Sequence, residues 1–315
     1  MKACLLSLCI PTNGISEWVF PVLDSIYNQD ADDSLFEVVV TDNGTNEDFY
    51  TKMTAYVAKK SNLVYKKTNA FLFENQIEAL RLAKGEFLKF VNHRSVMNEG
   101  SINWMLELVR SNLSEKPVIY LSNGAMHYKE SYESGTFDGF VKGLGAYASW
   151  TTGVGVWKSD FEKIPADKVY NKISPHSDIL FAERNKTKYI IDDTPWSHEI
   201  DGDHSKKGKY DLYKAFAVEE FTITLELFLD GSISAKTLKS VKRAYEKLVI
   251  GFYMQFSLVK RPCSYTLTGF DDAMGIFFNK RKIVLGAWTR LPRYCLRVIK
   301  GKCKKVLKKM NSYFR

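Results

Sequence analysis

Hydrophobic and polar positions over the first two hundred residues predict strands and helices in alternation. Short, nearly continuous apolar runs that stop at a turn are typical of strands buried on both faces. Longer stretches with apolar residues three or four positions apart are typical of helices that cover such a sheet. The predicted strands are residues 4–10, 36–40, 63–65, 85–91, 118–121 and 188–191, and the predicted helices are 16–27, 47–59, 74–83, 102–109 and 179–183. This order predicts an α/β fold with a mostly parallel Rossmann-type sheet.

The rest of the chain has a different pattern. Residues 135–157 are rich in glycine and aromatic residues, which is compatible with a tight antiparallel region, with an aromatic platform for sugar rings, or with aromatic core filling. From residue 210 onward the spacing is helical, over 217–229, 235–256 and 285–310. We therefore expect a nucleotide-binding and catalytic domain over residues 1–205, a helical extension over 206–279, and a terminal helix over 280–315.

The predicted strand 85–91 ends at a polar triplet, Asn92-His93-Arg94, before the next helical pattern begins. Open α/β sheets bind ligands at the carboxyl ends of their strands. The triplet is therefore a candidate ligand-binding turn.

Composition places the chain among folded proteins with a full core. It has 315 residues, of which 45% are hydrophobic and 26% charged. The 5 cysteines lack any Cys-x-x-Cys spacing, which argues against a disulfide framework or a zinc site and fits a reducing cytoplasm. No apolar run reaches the roughly 18 residues that a membrane-spanning helix needs.

The positive charge is concentrated at the C-terminus. Residues 280–315 contain thirteen Lys or Arg and no Asp or Glu, and subtracting these thirteen charges from the net +9 leaves −4. The apolar residues between them recur at helical spacing, which is typical of a basic amphipathic helix on an anionic membrane surface. Nucleic acid is the competing partner for so basic a segment, but the first 205 residues contain no recognition motif for it. We expect a membrane and not nucleic acid.

Four segments carry a family resemblance: residues 7–13 (SLCIPTN), 23–29 (LDSIYNQ), 37–44 (EVVVTDNG) and 75–86 (NQIEALRLAKGE). In this order and spacing they resemble the family 2 glycosyltransferases with the GT-A fold, particularly bacterial enzymes that build surface polysaccharides such as O-antigen or capsule. The resemblance covers roughly residues 4–205. It implies a GT-A-like fold and a nucleoside-diphosphate sugar as the donor.

The resemblance also implies roles for individual residues. It places Pro11, Thr12 and Asp42 at the nucleotide, and Asn75, Asn92 and His93 beside it. Asp178 resembles the family's catalytic carboxylate, which removes the proton of the acceptor hydroxyl, although the Glu that usually precedes it is Ser177 here. Asp192 and Asp193 are fallback candidates for this base.

The chain departs from the family at residues 92–94, where an Asp-x-Asp motif normally holds Mn²⁺ or Mg²⁺. Hard cations prefer carboxylate oxygens, and none stands at these positions. Arg94 could replace the metal as a fixed partner of the leaving diphosphate. Otherwise Asn92 and His93 could form a weak Mn²⁺ site with His198 or His204. A third possibility is that catalysis has been lost.

The sequence analysis thus predicts a glycosyltransferase that moves a sugar from a nucleoside-diphosphate sugar to a hydroxyl of a lipid-linked glycan. The resemblance implies inversion of configuration with Asp178 as the base, using either no metal or Mn²⁺. We expect a cytoplasmic protein bound peripherally to the inner face of the cell membrane. The alternative is a non-catalytic sugar-nucleotide-binding or scaffold protein in glycan assembly.

Overall fold

A five-stranded sheet with the strand order β3-β2-β1-β4-β8 forms the centre of the fold in the computed structural model. The model describes residues 4–128, 131–200 and 210–313, with the backbone alone for 301–313. β1 pairs in parallel with β2 and β4, β2 pairs in parallel with β3, and β8 is antiparallel to β4. The described strands are β1 (Leu6–Thr12), β2 (Phe36–Asp42), β3 (Leu63–Lys67), β4 (Phe87–Phe90), β5 (Ser95–Met97), β6 (Val118–Leu121), β7 (Tyr132–Ser134), β8 (Gly155–Trp157), β9 (Tyr189–Asp192) and β10 (Ser197–Glu199).

Two smaller sheets complete the strand pairing. One has the order β6-β9-β7, and the other pairs β5 with β10. The described α-helices are α1 (Ser16–Tyr27), α2 (Glu47–Val57), α3 (Asn75–Leu82), α4 (Ser101–Ser111), α5 (Phe137–Leu144), α6 (Lys158–Phe161), α7 (Pro175–Leu180), α8 (Leu212–Lys214), α9 (Glu220–Leu229), α10 (Ala235–Phe252), α11 (Phe270–Ala273) and α12 (Lys280–Tyr313). Short π-helices occupy Ala215–Glu219 and Tyr253–Leu258.

The central sheet is buried on both faces, as its apolar strands predict. Leu6, Leu8 and Ile10 of β1 face a core that includes residues of α1, α2 and α4. Cys9 points to the opposite face, where its sulfur lies 3.9 Å from the Ala79 carbonyl oxygen of α3. Helices on both sides of a mostly parallel sheet confirm the predicted α/β class, and GT-A is the matching fold.

The glycine-rich stretch is helical where an antiparallel region was one of our expectations. α5 and two short 3₁₀ turns occupy most of residues 137–153, and the Thr136 side chain caps α5 by accepting from the Gly139 N–H. Phe137, Phe140 and Trp157 are buried. Of the three alternatives left open for this stretch, core filling applies to these three rings, an antiparallel strand occurs only at β8, and Trp150 is exposed.

The chain divides into two compact units. One consists of Met1–Gly202 with Thr222–Val241, and the other of Asp203–Phe221 with Lys242–Arg315. The second unit has an aromatic core in which the Tyr213 and Phe270 rings lie 4.8 Å apart. Among the helices that the structure describes, none is both long and apolar enough to cross a membrane.

Candidate active site

The parallel register aligns three polar side chains at the carboxyl edge of the central sheet. Thr12 of β1 is opposite Asp42 of β2, and Asp42 is opposite Lys67 of β3. Pro11 precedes Thr12 on β1 and is opposite Thr41. The predicted nucleotide residues Pro11, Thr12 and Asp42 therefore lie together, at the edge where open α/β sheets bind ligands.

Asp42 is fully buried, and its carboxylate accepts three hydrogen bonds. Oδ1 accepts from the Gly44 N–H at 2.7 Å. Oδ2 accepts from the Tyr65 hydroxyl at 2.9 Å and from the Lys67 ammonium at 3.1 Å. These donors compensate the cost of removing a carboxylate from water. Asp42 thus holds Lys67 at the carboxyl edge of the sheet.

The Asn75 side chain at the start of α3 connects the strand ends at this edge by hydrogen bonds. Its amide nitrogen donates to the carbonyl oxygens of Thr12 and Thr41, at 3.1 and 2.9 Å. Its amide oxygen accepts from the Thr68 hydroxyl at 2.8 Å. Asn75 therefore links the ends of β1 and β2 to the segment that follows β3.

His93 lies beside Thr12 as a neutral imidazole. The Thr12 Oγ1 to His93 Nδ1 distance is 2.8 Å, and the His93 ring packs edge-on to Trp18 with 5.0 Å between centroids. Burial lowers the pKa of His93 to about 3, and the positive charge of Arg94 adds to this shift. The fold thus brings Thr12 at the end of β1 into contact with His93 in the turn after β4, although the two are far apart in the sequence.

Arg94 is buried against protein groups. Its Nη1 lies 3.6 Å from a Glu199 carboxylate oxygen, and its guanidinium carbon lies 5.3 Å from the centre of the Trp18 ring. Nη1 has no hydrogen-bond partner among the described residues. The Asn92 side chain accepts from the Arg94 backbone N–H at 3.1 Å and so shapes the turn. The role of Arg94 toward a diphosphate stays a prediction.

The described residues do not fit a metal ion. No group of three or more His, Cys, Asp or Glu side chains that could hold one occurs in the described part of the chain. His93 uses Nδ1 toward Thr12, and His198 on β10 uses Nδ1 toward the Asn98 side chain at 2.9 Å. His204, the other predicted ligand, lies outside the described residues, so this part of the Mn²⁺ prediction stays open.

Asp178 lies on the short helix α7 and lines a cavity of about 300 Å³. One of its oxygens accepts from the Asn171 backbone N–H at 2.5 Å. Burial raises the pKa of Asp178 despite the lowering effects of this hydrogen bond and of Lys168. A carboxylate with a raised pKa is a stronger base, as proton removal from a hydroxyl requires.

The fallback base Asp193 is held differently. Burial raises its pKa, but hydrogen bonds from Ser122 and from the backbone N–H groups of Met126 and Tyr128 outweigh this effect and lower the pKa. Such a carboxylate is a weaker base than Asp178. Asp192 accepts from the Thr194 backbone N–H at 2.9 Å and ends β9. The directions of the two pKa shifts favour Asp178 over Asp193 as the base.

A second cavity, of about 590 Å³, lies beside Asp42 and was missed in the sequence analysis. Lys67 and Thr68, which bond to Asp42 and Asn75 respectively, line its wall. Its lining contains five basic residues: Lys66, Lys67, Arg81, Lys168 and Lys172. The pair Lys66-Lys67 directly after an apolar strand was a signal in the sequence, whereas the approach of Lys168 and Lys172 depends on the fold.

The two cavities share Lys168 and Tyr170 in their walls. The two cavities are therefore adjacent, with Lys67 in the wall of the larger one and Asp178 in the wall of the smaller one. Cavities of several hundred Å³ are the usual size of small-molecule sites. The arrangement thus places a basic cavity next to a cavity that contains a buried carboxylate.

The fold and this site define a GT-A-like α/β protein with a ligand edge at the ends of its parallel strands. The structure is similar to S. aureus TarS 1-349 in complex with UDP-GlcNAc, with a TM-score of 0.58 and 16% identity over 88% of this chain and 82% of that one. A UDP complex of TarS 1-349 matches with a TM-score of 0.54 and 16% identity over 81% and 75% of the two chains. No family model and no curated protein matches the sequence.

Proposed function

We propose that this protein is a glycosyltransferase that uses a nucleoside-diphosphate sugar. The observation that carries the proposal is the adjacency of a basic cavity at the polar strand edge and a second cavity that contains Asp178, with Lys168 and Tyr170 in both walls. The similar fold of TarS, which holds UDP-GlcNAc in its own structure, supports the same conclusion.

The nucleotide lies, in this proposal, against the ends of β1 and β2. Pro11 and Thr12 form one side, and Asp42 acts by holding Lys67 at the wall of the larger cavity. Asn75 keeps the ends of the two strands together, and Asn92 and His93 border the site on the side of β4. Hydroxyl and N–H groups of the ribose and base are donors that suit this oxygen-rich edge.

Asp178 acts as the base in an inverting transfer. It accepts the proton of the acceptor hydroxyl while the hydroxyl oxygen forms a bond to the anomeric carbon. The bond from that carbon to the phosphate oxygen breaks, and its electron pair leaves with the nucleoside diphosphate. The raised pKa of Asp178 favours the proton transfer.

The acceptor in this proposal is a hydroxyl of a lipid-linked glycan on the cytoplasmic face of the membrane. The support is the basic segment 280–315, whose exposed apolar residues include Leu285, Trp288, Leu296 and Ile299. Cations attract an anionic lipid surface, and the apolar side chains insert into it.

A non-catalytic sugar-nucleotide-binding protein is the second candidate. Asn92-His93-Arg94 contains no carboxylate, and the described residues do not form a metal site. This protein would bind the donor at the same edge and release no product. Binding alone therefore cannot separate the two candidates, whereas turnover can.

Titration calorimetry with UDP, GDP and dTDP tests the shared part of both candidates. We expect one of these nucleotides to bind with a dissociation constant in the micromolar range, both in EDTA and with Mn²⁺. The corresponding nucleoside should bind more weakly, because it lacks the phosphates that the basic cavity attracts. Failure of all three nucleotides to bind under either condition would contradict the proposal.

A further inference from the structure

The larger cavity carries more positive charge than its own acidic residues neutralise. Its lining has five basic residues against two carboxylates, Glu74 and Glu78. Arg81 is paired with Glu78 at 2.9 Å, and Lys66 lies 3.8 Å from the same carboxylate. Lys67 is paired with Asp42. We call this space, bordered by Lys66, Lys67, Arg81, Lys168 and Lys172, the lysine-rich cavity.

Lys168 and Lys172 provide the excess charge. Neither ammonium group forms an ion pair with a carboxylate of the described residues, and both side chains are exposed. Both follow Ile164-Pro165 in the segment that leads to α7. An anionic ligand in the cavity would find these two charges available without first breaking an ion pair.

Lys168 also links the cavity to the proposed base. It lines both cavities, and Asp178 lines the smaller one. In an inverting transfer the sugar lies between the base and the leaving diphosphate. If Asp178 receives the acceptor proton, the diphosphate must lie about one sugar ring away. Lys168 is the basic group at the shared wall, and Lys172, four residues further along the chain, lines the larger cavity beside it.

The turn after β4 contains a single positive charge, the Arg94 guanidinium, whose Nη1 has no hydrogen-bond partner among the described residues. Arg94 is buried and its guanidinium faces Glu199 and Trp18. Asn92 and His93 are neutral and engaged with the Arg94 backbone and Thr12. The metal that would normally bring positive charge to the diphosphate has no carboxylate ligand there.

We propose that the lysine-rich cavity binds the diphosphate of the donor without a metal ion, and that Lys168 and Lys172 neutralise the charge of the leaving nucleoside diphosphate. This inference rests on the proposed function, since the diphosphate belongs to the donor. As the bond to the sugar breaks, negative charge grows on the phosphate oxygen. Two ammonium groups at the cavity wall stabilise that charge more than they stabilise the intact donor.

Inorganic pyrophosphate is the probe that tests this inference, because it carries the diphosphate without any base or sugar. Its binding to the full chain is measured by calorimetry in EDTA. We compare wild type with the double variant Lys168→Ala/Lys172→Ala. The matched control is Lys59→Ala/Lys236→Ala, which removes the same charge from two exposed lysines that do not line the cavity.

We expect pyrophosphate to bind the wild type and the control alike, and to bind the cavity variant at least tenfold more weakly. Because all four lysines are exposed, each variant should fold, and circular dichroism checks this. Unchanged binding in the cavity variant would overturn the inference. So would an absence of pyrophosphate binding in EDTA, or binding that appears only when Mn²⁺ is added.

Arg94→Ala separates this inference from the alternative counter-charge. We expect Arg94→Ala to keep wild-type pyrophosphate affinity, provided the variant folds, and Arg94→Lys serves as a second variant that retains the charge. A loss of affinity in Arg94→Ala that Arg94→Lys partly restores, with the cavity variant unaffected, would overturn the cavity inference and leave the proposed glycosyl transfer standing. If pyrophosphate binds through the two lysines but no nucleotide binds, the result contradicts the proposed function instead.

Discussion

The complete burial of the Asp42 carboxylate is tolerated because three donors surround it. An ionised carboxylate loses several kcal/mol on leaving water, and hydrogen bonds from Gly44, Tyr65 and Lys67 offset this loss. Gly44 is required at its position because a Cβ there would lie 2.0 Å from the Asn13 carbonyl oxygen. Asp42, which the family resemblance places at the nucleotide, therefore also stabilises the carboxyl edge of the sheet.

We predict that Asp42→Ala destabilises the fold by about 2–4 kcal/mol, because the Tyr65 hydroxyl and the Lys67 ammonium lose a buried charged acceptor. The matched control is Asp48→Ala, which breaks an exposed ion pair with Lys52 on α2 and should cost less than about 1 kcal/mol. Urea unfolding of both variants measures the difference. Equal and small losses of stability would show that Asp42 does not anchor this edge.

The position of Asp42 at the carboxyl edge of the sheet could be predicted from the sequence, but its partners could not. A strand ending in Thr-Asp-Asn-Gly at a carboxyl edge signals a functional or capping carboxylate. Tyr65 and Lys67 reach it only because β3 pairs with β2 in this register. In the same way, Lys168 approaches the site through the fold and not through any motif.

Long elements were predictable because each carries its own periodic signal. The predicted strand 36–40 lies within β2, residues 118–121 match β6, and the predicted helix 47–59 contains α2. The three-residue strands β5, β7, β8 and β10 were not predicted individually. Each is too short to show alternation, and β5 and β10 are defined only by pairing across about a hundred residues of chain.

The first half of α12 is amphipathic in the structure as well as in the sequence. Ile283 and Ala287 are fully buried, so the helix is anchored at its start. By helical spacing, the apolar residues Leu285, Trp288, Leu296 and Ile299 share the opposite side of the helix, and each is more than half exposed. The membrane prediction for 280–315 follows from this exposure together with the charge.

We predict that Arg293→Glu/Arg297→Glu lowers binding to vesicles with 30% phosphatidylserine by about 100-fold or more, since each basic residue near such a surface contributes about 1 kcal/mol and each reversal removes attraction and adds repulsion. Both side chains are exposed, so the fold should be kept. The control Arg243→Glu/Lys247→Glu makes the same charge change at exposed positions of α10. Vesicle flotation that is equal for wild type and both variants would refute the membrane role.

At the scale of the whole molecule, the fold is confirmed, whereas the reaction is a proposal. The α/β class follows from the alternating pattern and the GT-A-like fold from the family resemblance, and both are confirmed by the sheet order and by the similarity to TarS. The transfer reaction depends on side chains from separate parts of the chain, and a shared fold does not by itself show a shared activity. The central claim therefore has to be tested at Asp178.

The most direct test is release of the nucleoside diphosphate from nucleotide sugars in the presence of a polyprenyl-diphosphate-linked sugar. We predict release by the wild type in EDTA, with kcat/KM falling at low pH through a pKa above the usual range for Asp, because burial raises the pKa of Asp178 and protonation removes the base. Asp178→Asn should bind the donor normally and lose about 100-fold or more in turnover. Asp167→Asn, an exposed carboxylate in the preceding segment, should match the wild type. Equal turnover by wild type and Asp178→Asn, or no release from any donor, would contradict the account.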